Sequence, residues 1–482
     1  MQEITIKNFK GVNLDEGNWQ DAYAGYVAGL DIWGLGKSSS KISYPGIPQG
    51  IFDVSAGAQA ASPSAVTGLV LDFTRFLSQD FAIGAAATAR IYRRDSNTWT
   101  WVSAGAAAIT VSGGNTPAAA LKVYGANMYY ATAGFLGVYD NTTGDANFQS
   151  LLDTTLSQRK MAILNGNLYG LDNRYVWKYD GATFTNNSLT LPAHFVARDV
   201  EVYGDLMYIM ADNGEFSTLF IWDGLAATYK TALNIYEEQN APSLKLASGL
   251  LWLVANRGAS TTGTPIYYTN GAEITKVQIL PIKRSATVGL AEYAGGLAIG
   301  SNEGATAAYE DGLAGVWVLN RNSSNYPYSA ALAFPLRDQF TNKTLGAINF
   351  FGQTGYIAAN DVTNATFEIF ELQGSQANAT NIWQTLPIDA GATSEKMWHY
   401  IKLNFENLIT GQTIVVKYRL DDASAFTTLK TFSTTGAAAQ NKQYIPILRS
   451  SRTITIRVEL TASASETTRL HSFTLGFTAT KK

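Results

Sequence analysis

Few residues in this sequence are of types that carry acid–base or metal chemistry. Cysteine is absent, and histidine occurs three times, at His194, His399 and His471. Thiolate metal sites and disulfides are therefore excluded. His399 and His471 could lie close together, but the spacing typical of a zinc motif does not accompany them. The sequence also has no Gly-X-Ser-X-Gly turn that would present a serine nucleophile. It predicts no catalytic residue, no metal and no cofactor.

Carboxylates are the remaining candidates for chemistry, because some glycosidases place acidic residues at the mouth of a funnel-shaped active site. Aspartates recur, however, at one position of successive predicted hairpins, namely Asp95, Asp140, Asp180 and Asp223. Repetition at one position favours capping of a turn over catalysis.

Two acidic pairs, Glu237-Glu238 and Asp421-Asp422, need a separate interpretation. Retaining glycoside hydrolysis requires two carboxyl groups about 5–5.5 Å apart. The simpler prediction is that each pair lies in a solvated loop. Residues 140–145 offer oxygen ligands for calcium but miss the EF-hand spacing.

One segment is similar to a phosphate-binding loop. Gly34-Leu-Gly-Lys-Ser38 has the Gly-Lys-Ser end of that motif, but Asp31 stands where the first glycine is required. The backbone nest for phosphate would be incomplete, so a plain loop is the prediction here.

Tryptophans divide into two groups. Four lie at or near equivalent strand positions of a repeat, and we expect them to pack between repeats: Trp177, Trp222, Trp252 and Trp317. The others are candidate contacts with further proteins: Trp19 and Trp33 near the amino terminus, with Trp99, Trp101, Trp383 and Trp398.

The element that must position these residues is a degenerate repeat between about residues 66 and 372. Each copy has an apolar strand, a turn glycine, a second apolar strand and then an aromatic strand that ends in Asp or Asn. The turn glycines recur about every 40 residues, at Gly125, Gly166, Gly204, Gly249 and Gly295. That period is typical of four short strands in one propeller blade. Weaker copies flank these five, so a seven-bladed β-propeller is predicted, with six blades as the alternative.

Composition and patterning divide the chain of 482 residues further. Residues 1–50 form a predicted amino-terminal arm, residues 51–375 the propeller, and residues 376–482 an antiparallel β-sandwich. In residues 413–420, one face has Ile414, Val416, Tyr418 and Leu420 and the other has Thr413, Val415, Lys417 and Arg419, as expected when one face of a strand is buried. The predicted class is all-β.

Charge and hydropathy limit the partners. Only 15% of residues are charged and the net charge is −3, which gives no electrostatic case for wrapping nucleic acid. No run approaches the ~20 apolar residues of a membrane-spanning helix. The amino terminus has no apolar signal region, so we expect folding in the cytoplasm.

Several segments resemble a known family. Residues 388–391, 396–403, 411–421, 454–460 and 470–477 resemble the carboxy-terminal sandwich of tailed-bacteriophage structural proteins, and residues 4–14 resemble the start of phage tail and head-to-tail hub proteins that carry a propeller. The resemblance implies a multimeric virion component of the tail, such as a hub or nozzle, with no catalytic residues. It implies assembly in the host cytoplasm and contact with other virion proteins.

The resulting hypothesis is a non-enzymatic tail protein that forms a homo-oligomeric ring and contacts adjacent tail rings, adaptor, fibre or portal-proximal proteins. DNA could pass through the channel without sequence recognition. The alternative is a host-receptor or carbohydrate-binding propeller, which could also cleave glycans.

Overall fold

All regular structure in the described part of the chain is β-strand, as the all-β prediction requires. The computed structural model describes residues 1–6, 25–28, 50–53, 66, 68–85, 90–95, 98–101, 103–104, 107–108, 120–132, 134–153, 159–257, 263–280, 282, 284, 289–293, 295–302, 315–320, 328–335, 343–352, 354–361, 366–373, 381–385, 387–390, 394–421, 423, 425–433, 442–461 and 470–479.

Three short strands come first in the chain, and each belongs to a different sheet. They are β1 (Gln2–Ile6), β2 (Gly25–Ala28) and β3 (Gly50–Asp53).

The next twenty-nine strands, β4–β32, form seven successive sets, with a small two-stranded sheet between the first two. Set 1 is β4 (Leu69–Phe76), β5 (Gln79–Ala85), β6 (Arg90–Asp95) and β7 (Thr98–Trp101); the small sheet is β8 (Ser103–Ala104) and β9 (Ala107–Ala108); set 2 is β10 (Ala120–Tyr124), β11 (Asn127–Ala131), β12 (Phe135–Tyr139) and β13 (Gly144–Ser150); set 3 is β14 (Met161–Leu164), β15 (Asn167–Asp172), β16 (Tyr175–Tyr179) and β17 (Phe184–Thr190). Set 4 is β18 (Val196–Tyr203), β19 (Leu206–Asp212), β20 (Ser217–Trp222) and β21 (Thr231–Ile235); set 5 is β22 (Ser243–Ala247), β23 (Leu250–Val254), β24 (Thr264–Thr269) and β25 (Ile274–Leu280); set 6 is β26 (Leu290–Tyr293), β27 (Gly296–Ser301), β28 (Gly315–Asn320) and β29 (Ser329–Pro335); set 7 is β30 (Lys343–Phe351), β31 (Thr354–Asp361), β32 (Thr366–Gln373) and, as its fourth strand, β3.

Sequence explains why these strands form. The turn between the first two strands of set 3 is Asn165-Gly166, and both residues have positive φ angles, of 49° and 73°. A two-residue hairpin of this type needs positive φ at both positions, which Asn and Gly accept at little cost. The second strands are nearly continuous apolar runs because both of their faces are covered, as in residues 206–212.

Seven apolar cores lie between the sets and follow one another in a closed order. Each core contains residues of two consecutive sets, and the last joins set 7 to set 1 through Ala358 and Phe73. The first strands of neighbouring sets contact one another, and β30 contacts β4. The sets are therefore the blades of a β-propeller, and the predicted fold is confirmed. The number of blades stays a prediction, and seven sets in closed order favour seven over six.

The remaining strands form the predicted sandwich. They are β33 (Asn381–Thr385), β34 (Lys396–Phe405), β35 (Thr413–Leu420), β36 (Thr427–Ser433), β37 (Lys442–Ser451), β38 (Ile454–Thr461) and β39 (Leu470–Ala479). One sheet has the order β1-β39-β34-β37, and the other contains β33-β38-β35-β36. The side chains of Ile414, Val416 and Tyr418 are buried between the sheets, as their alternation predicted.

The propeller and the sandwich share one continuous sheet. Strand β2 pairs in parallel with β29 at the outer edge of set 6, and antiparallel with β33 of the sandwich. The result is a nine-stranded sheet, β26-β27-β28-β29-β2-β33-β38-β35-β36. Backbone hydrogen bonds therefore join the two units, which a flexible linker would not provide.

The described parts of the predicted amino-terminal arm are three strands that pair with other sheets. Strand β1 is an edge strand of the sandwich, β2 joins the sandwich to set 6, and β3 completes set 7 by pairing with β32. Sequence could not show this because each pairing spans hundreds of residues. The predicted boundaries near residues 50 and 375 remain predictions.

A close packing of aromatic rings on glycine recurs within the sets. Gly170 on β15 pairs with Trp177 on β16, and a Cβ atom added at Gly170 would lie 2.1 Å from the Trp177 ring. Gly137 and Tyr130 repeat this arrangement in set 2, at 2.2 Å. The missing Cβ provides the space that each buried ring occupies.

Substitution of Gly170 by Ala is expected to destabilise the chain by about 1–3 kcal/mol, because the methyl group forces Trp177 out of its packed position. The midpoint of urea unfolding, followed by tryptophan fluorescence, measures this change. Gly166→Asn is the control, since the space around Gly166 is open and asparagine tolerates its positive φ. Equal midpoints for both variants would contradict the packing argument.

Candidate functional site

Two of the tryptophans predicted to contact a partner are buried inside the chain instead. Trp383 and Trp398 are fully buried in the sandwich core. Trp383 packs on Phe473, and the Trp398 Nε1 atom donates a hydrogen bond of 2.8 Å to Ser451 Oγ. The prediction that these two contact a partner is therefore corrected: the sandwich core needs their large apolar surface. Trp19 and Trp33 lie outside the described residues.

Among the other tryptophans, Trp99 is also buried, between sets 1 and 7, and the side chain of Trp101 lies outside the described part. The four tryptophans that follow the repeat are buried between sets, as predicted: Trp177, Trp222, Trp252 and Trp317.

The hairpin aspartates cap turns, which confirms that prediction for three of the four. Oδ1 of Asp180 accepts hydrogen bonds from the backbone N–H groups of Ala182 and Thr183, at 2.9 and 2.7 Å. Asp140 and Asp223 accept equivalent bonds, as does Asn270 in set 5. Asp95 pairs with Arg93, and the turn that follows it, residues 96–97, lies outside the described part. The carboxylates are occupied by backbone donors.

These backbone donors lower the pKa of the three capping aspartates, to about 2 for Asp223. Because the folded pKa lies below the unfolded value of about 3.9, the stabilisation is complete above pH 4 and is lost as the pH falls towards 2.

The Asp140→Asn, Asp180→Asn, Asp223→Asn triple variant should keep the turns, since Asn270 caps the equivalent turn. We expect its thermal midpoint to fall less steeply than that of the wild type between pH 4 and pH 2. The matching triple alanine variant should be less stable at every pH. An identical pH profile for the asparagine variant and the wild type would exclude these caps as a source of acid sensitivity.

In the pair Glu237-Glu238, the side chain of Glu237 is 48% exposed, as predicted for a solvated loop, whereas Glu238 departs from that prediction. Glu238 is 2% exposed, and both its oxygens bind Arg257, at 3.0 and 2.6 Å. The Tyr267 hydroxyl lies 2.6 Å from an oxygen of Glu237 and 2.7 Å from an oxygen of Glu238. Ser217 Oγ also donates to the Glu238 carbonyl, at 2.7 Å. The loop after set 4 is thereby fixed to set 5.

The chemistry of this carboxylate pair is structural. Burial and the two adjacent carboxylates raise the pKa of Tyr267 far above its usual range, so the phenolate that a tyrosine nucleophile requires is disfavoured. The hydrogen bond from Tyr267 lowers the pKa of Glu237. One hydroxyl proton serves two acceptors, and Arg257 compensates the buried charge.

Tyr267→Phe should destabilise the chain by about 1–2 kcal/mol, because buried Glu238 loses a donor while Arg257 remains. Tyr268→Phe is a matched control, since no described residue accepts a hydrogen bond from its hydroxyl. Thermal unfolding at pH 7 measures both variants. A Tyr267→Phe midpoint no lower than that of the control would show that the shared hydroxyl contributes nothing.

The histidine hypothesis finds no support in the register of the strands. His399 on β34 lies beside Thr478 at 2.8 Å, near one end of β39, whereas His471 lies near the other end and is 3.6 Å from Glu406. Within the described residues, no group of three or more His, Asp or Glu residues could hold a metal ion.

The segment similar to a phosphate-binding loop, residues 34–38, lies outside the described part. In the second acidic pair, Asp421 accepts hydrogen bonds from the backbone N–H groups of Arg452 and Thr453, and Asp422 lies outside the described part.

A cluster of charged residues around the propeller axis was not predicted. Asp72 on β4 and Asp199 on β18 each follow a β-bulge in the innermost strand of their set. Asp72 Oδ2 accepts a hydrogen bond of 2.9 Å from the N–H of Leu121 in set 2, and Asp199 Oδ2 accepts one of 2.8 Å from Leu244 in set 5. The bulge directs each carboxylate to the next innermost strand, whose N–H groups have no further strand to pair with.

The same two aspartates also accept from their own strands. Oδ1 of Asp72 binds the N–H of Phe73 and Oδ1 of Asp199 binds the N–H of Val200, both at 2.9 Å. The oxygens of both carboxylates are thus committed to the backbone. We name Asp72, Lys160, Asp199, Glu201 and Arg284 the axial cluster.

The two cations of the axial cluster, Lys160 and Arg284, make fewer hydrogen bonds with the described residues than these carboxylates do. Lys160 immediately precedes β14, and no described residue forms an ion pair or hydrogen bond with its Nζ atom. Arg284 lies between sets 5 and 6 and is 0% exposed. Its Nη1 atom donates to the Gly289 carbonyl at 3.3 Å, while Nε and Nη2 are buried and have no hydrogen-bond partner among the described residues.

Electrostatics connects these side chains. Burial lowers the pKa of Arg284 to about 9, against the attraction of Asp199. Burial raises the pKa of Asp199, with Lys160 opposing the shift. The pKa of Lys160 is raised, because attraction by Asp199, Asp72 and Glu201 exceeds the effect of burial and of Arg284. Charge interactions thus link Lys160 to Asp72, Asp199, Glu201 and Arg284.

Comparison with known proteins defines the fold alone. No protein-family model matches the chain, and no curated protein matches it. The fold is similar to the β-propeller domain of Cps50 (Swd1) from Myceliophteria thermophila, at 11% identity over 64% of this chain and 98% of that one, with a TM-score of 0.41. It is also similar to the extracellular domain of a putative one component system from B. thetaiotaomicron, at 12% identity over 82% of this chain and 49% of that one, with a TM-score of 0.46.

A third similar structure is the computationally designed Ika8 protein, at 12% identity over 64% of this chain and 98% of that one, with a TM-score of 0.39. Since every one of these TM-scores is below 0.5, the likenesses carry no argument about function. Among the described residues, no helix has the length and apolar character to cross a membrane.

Proposed function

We propose that this chain is a non-enzymatic structural component of a bacteriophage tail, of the hub or nozzle kind, that assembles with copies of itself and with other virion proteins. The observation that carries the proposal is the nine-stranded sheet that joins the propeller to the sandwich. A component that transmits load between neighbours in a particle needs its modules joined, and β2 links them by pairing with β29 at Ala28 and Leu332 and with β33 at four residue pairs.

Two further observations support a scaffold. The carboxylates that could have served catalysis have structural partners: backbone N–H groups for Asp140, Asp180 and Asp223, and Arg257 for Glu238. The resemblance of the sandwich segments and of residues 4–14 to phage tail proteins supports a phage tail as the particle to which this scaffold belongs. Virion localisation, after assembly in the host cytoplasm, belongs to the same proposal.

The sandwich offers a surface for assembly. Strand β37 is the last strand of its sheet, so one side of its backbone has no strand partner within the described chain. Tyr444 and Leu448 on this strand are 59% and 62% exposed. A free strand edge with exposed apolar side chains can pair with another chain, and in a cyclic ring each copy would use it against a different surface of its neighbour.

We expect native mass spectrometry and light scattering to show a closed homo-oligomer at micromolar concentration. Tyr444→Ser with Leu448→Ser should shift the population to monomer and lower the thermal midpoint only slightly, because both side chains are exposed and the packing lost within the chain is that of Tyr444 on Tyr400. Leu225→Ser is the control, since Leu225 is 77% exposed on the propeller.

The rival function is a host-receptor or glycan-binding module, which a glycan array tests directly. A strict monomer at all concentrations, together with strong binding on the array, would overturn the scaffold proposal. The absence of glycan binding, with an oligomer that Tyr444 and Leu448 control, would support it.

A further inference from the structure

Arg284 has an unusual environment for a buried arginine. A fully buried guanidinium costs several kcal/mol of desolvation unless hydrogen bonds and an opposite charge compensate it. Arg284 has one long hydrogen bond to a carbonyl, and its other donors face no acceptor. Nearby Asp199 contributes attraction, but its oxygens are bound to the N–H groups of Val200 and Leu244.

The two unpaired nitrogens are those with which this chain binds carboxylates elsewhere. Four arginines grip a carboxylate through Nε and Nη2 together: Arg75 with Asp80, Arg93 with Asp95, Arg198 with Asp212, and Arg257 with Glu238. Nε and Nη2 form a planar fork that matches two oxygens of a carboxylate or phosphate. In Arg284 the same fork is buried and empty of protein partners.

We propose that the buried Nε–Nη2 fork of Arg284 is a binding site for a small oxyanion, a carboxylate or a phosphate group. No described carboxylate occupies the fork: Asp72 and Asp199 accept from backbone N–H groups, and Glu201 lies 3.8 Å from Lys245. The site is independent of the oligomeric state, and therefore goes beyond the proposed scaffold function.

The test uses the full-length chain, transferred into sodium chloride and titrated with inorganic phosphate or acetate at constant ionic strength. Calorimetry should detect about one oxyanion per chain, and the thermal midpoint should rise by about 1–3 °C at saturation relative to chloride alone. A stronger response to phosphate would identify a phosphate-type ligand, and an equal or stronger response to acetate would identify a carboxylate.

Variants distinguish binding by the Nε–Nη2 fork of Arg284 from nonspecific attraction of the anion by positive charge. Arg284→Met should lower the affinity at least tenfold, and in chloride it should be as stable as the wild type or more so, because an unpaired buried charge is removed. Arg284→Lys keeps the charge but loses the fork, so it should weaken binding and also serves if the methionine variant does not fold. Arg449→Gln, at an exposed arginine of the sandwich, should bind like the wild type.

Two results would overturn the proposal. One is that the thermal midpoint and the calorimetric heats of the wild type are the same in phosphate, acetate and chloride. The other is an oxyanion response that Arg284→Lys and Arg284→Met leave unchanged, which would place the ion elsewhere.

Discussion

Closure of the ring is the constraint on which the rest of this structure depends. Each set of four strands is apolar on both faces, so it needs a neighbour on each side, and an open row would leave two such faces in water. The seven cores between sets form a closed order in which Ala358 and Tyr356 of set 7 pack with Phe73 of set 1. The closing contact therefore buries the two faces that an open row of sets would expose.

The amino-terminal strands complete this arrangement from outside the repeat. Strand β3 provides the fourth strand of set 7, so a single sheet contains residues from both ends of the propeller segment. Strands β1 and β2 do the same for the sandwich and for its junction with set 6. Because these pairings are non-local, the entropy of closing long loops must be overcome before they form, and we expect them to form late in folding.

Polar groups near the axis follow from the same geometry. The innermost strand of each set has one edge without a strand partner, and its N–H groups need acceptors. Asp72 and Asp199 supply them across neighbouring sets, and Asn349 Nδ2 donates to the carbonyl of Phe73 across the closing contact. These carboxylates keep their negative charge and attract Lys160, but within the described residues none of them accepts a hydrogen bond from the Nε or Nη2 atom of Arg284.

Local chemistry in the sequence was enough to predict the strands, the hairpins and their caps, because positive φ at Gly166, capping by Asp180 and alternation at Ile414 each depend on residues close together in the chain. Long-range contacts could not be predicted in this way. Burial of Trp383 and Trp398, the contact of Glu238 with Arg257 and Tyr267, and the unpaired fork of Arg284 all depend on residues from different strands or sets. The sequence by itself thus determined the repeating unit and the class of fold. Only the tertiary structure decided which polar groups are paired, because pairing depends on which elements the closed ring brings into contact.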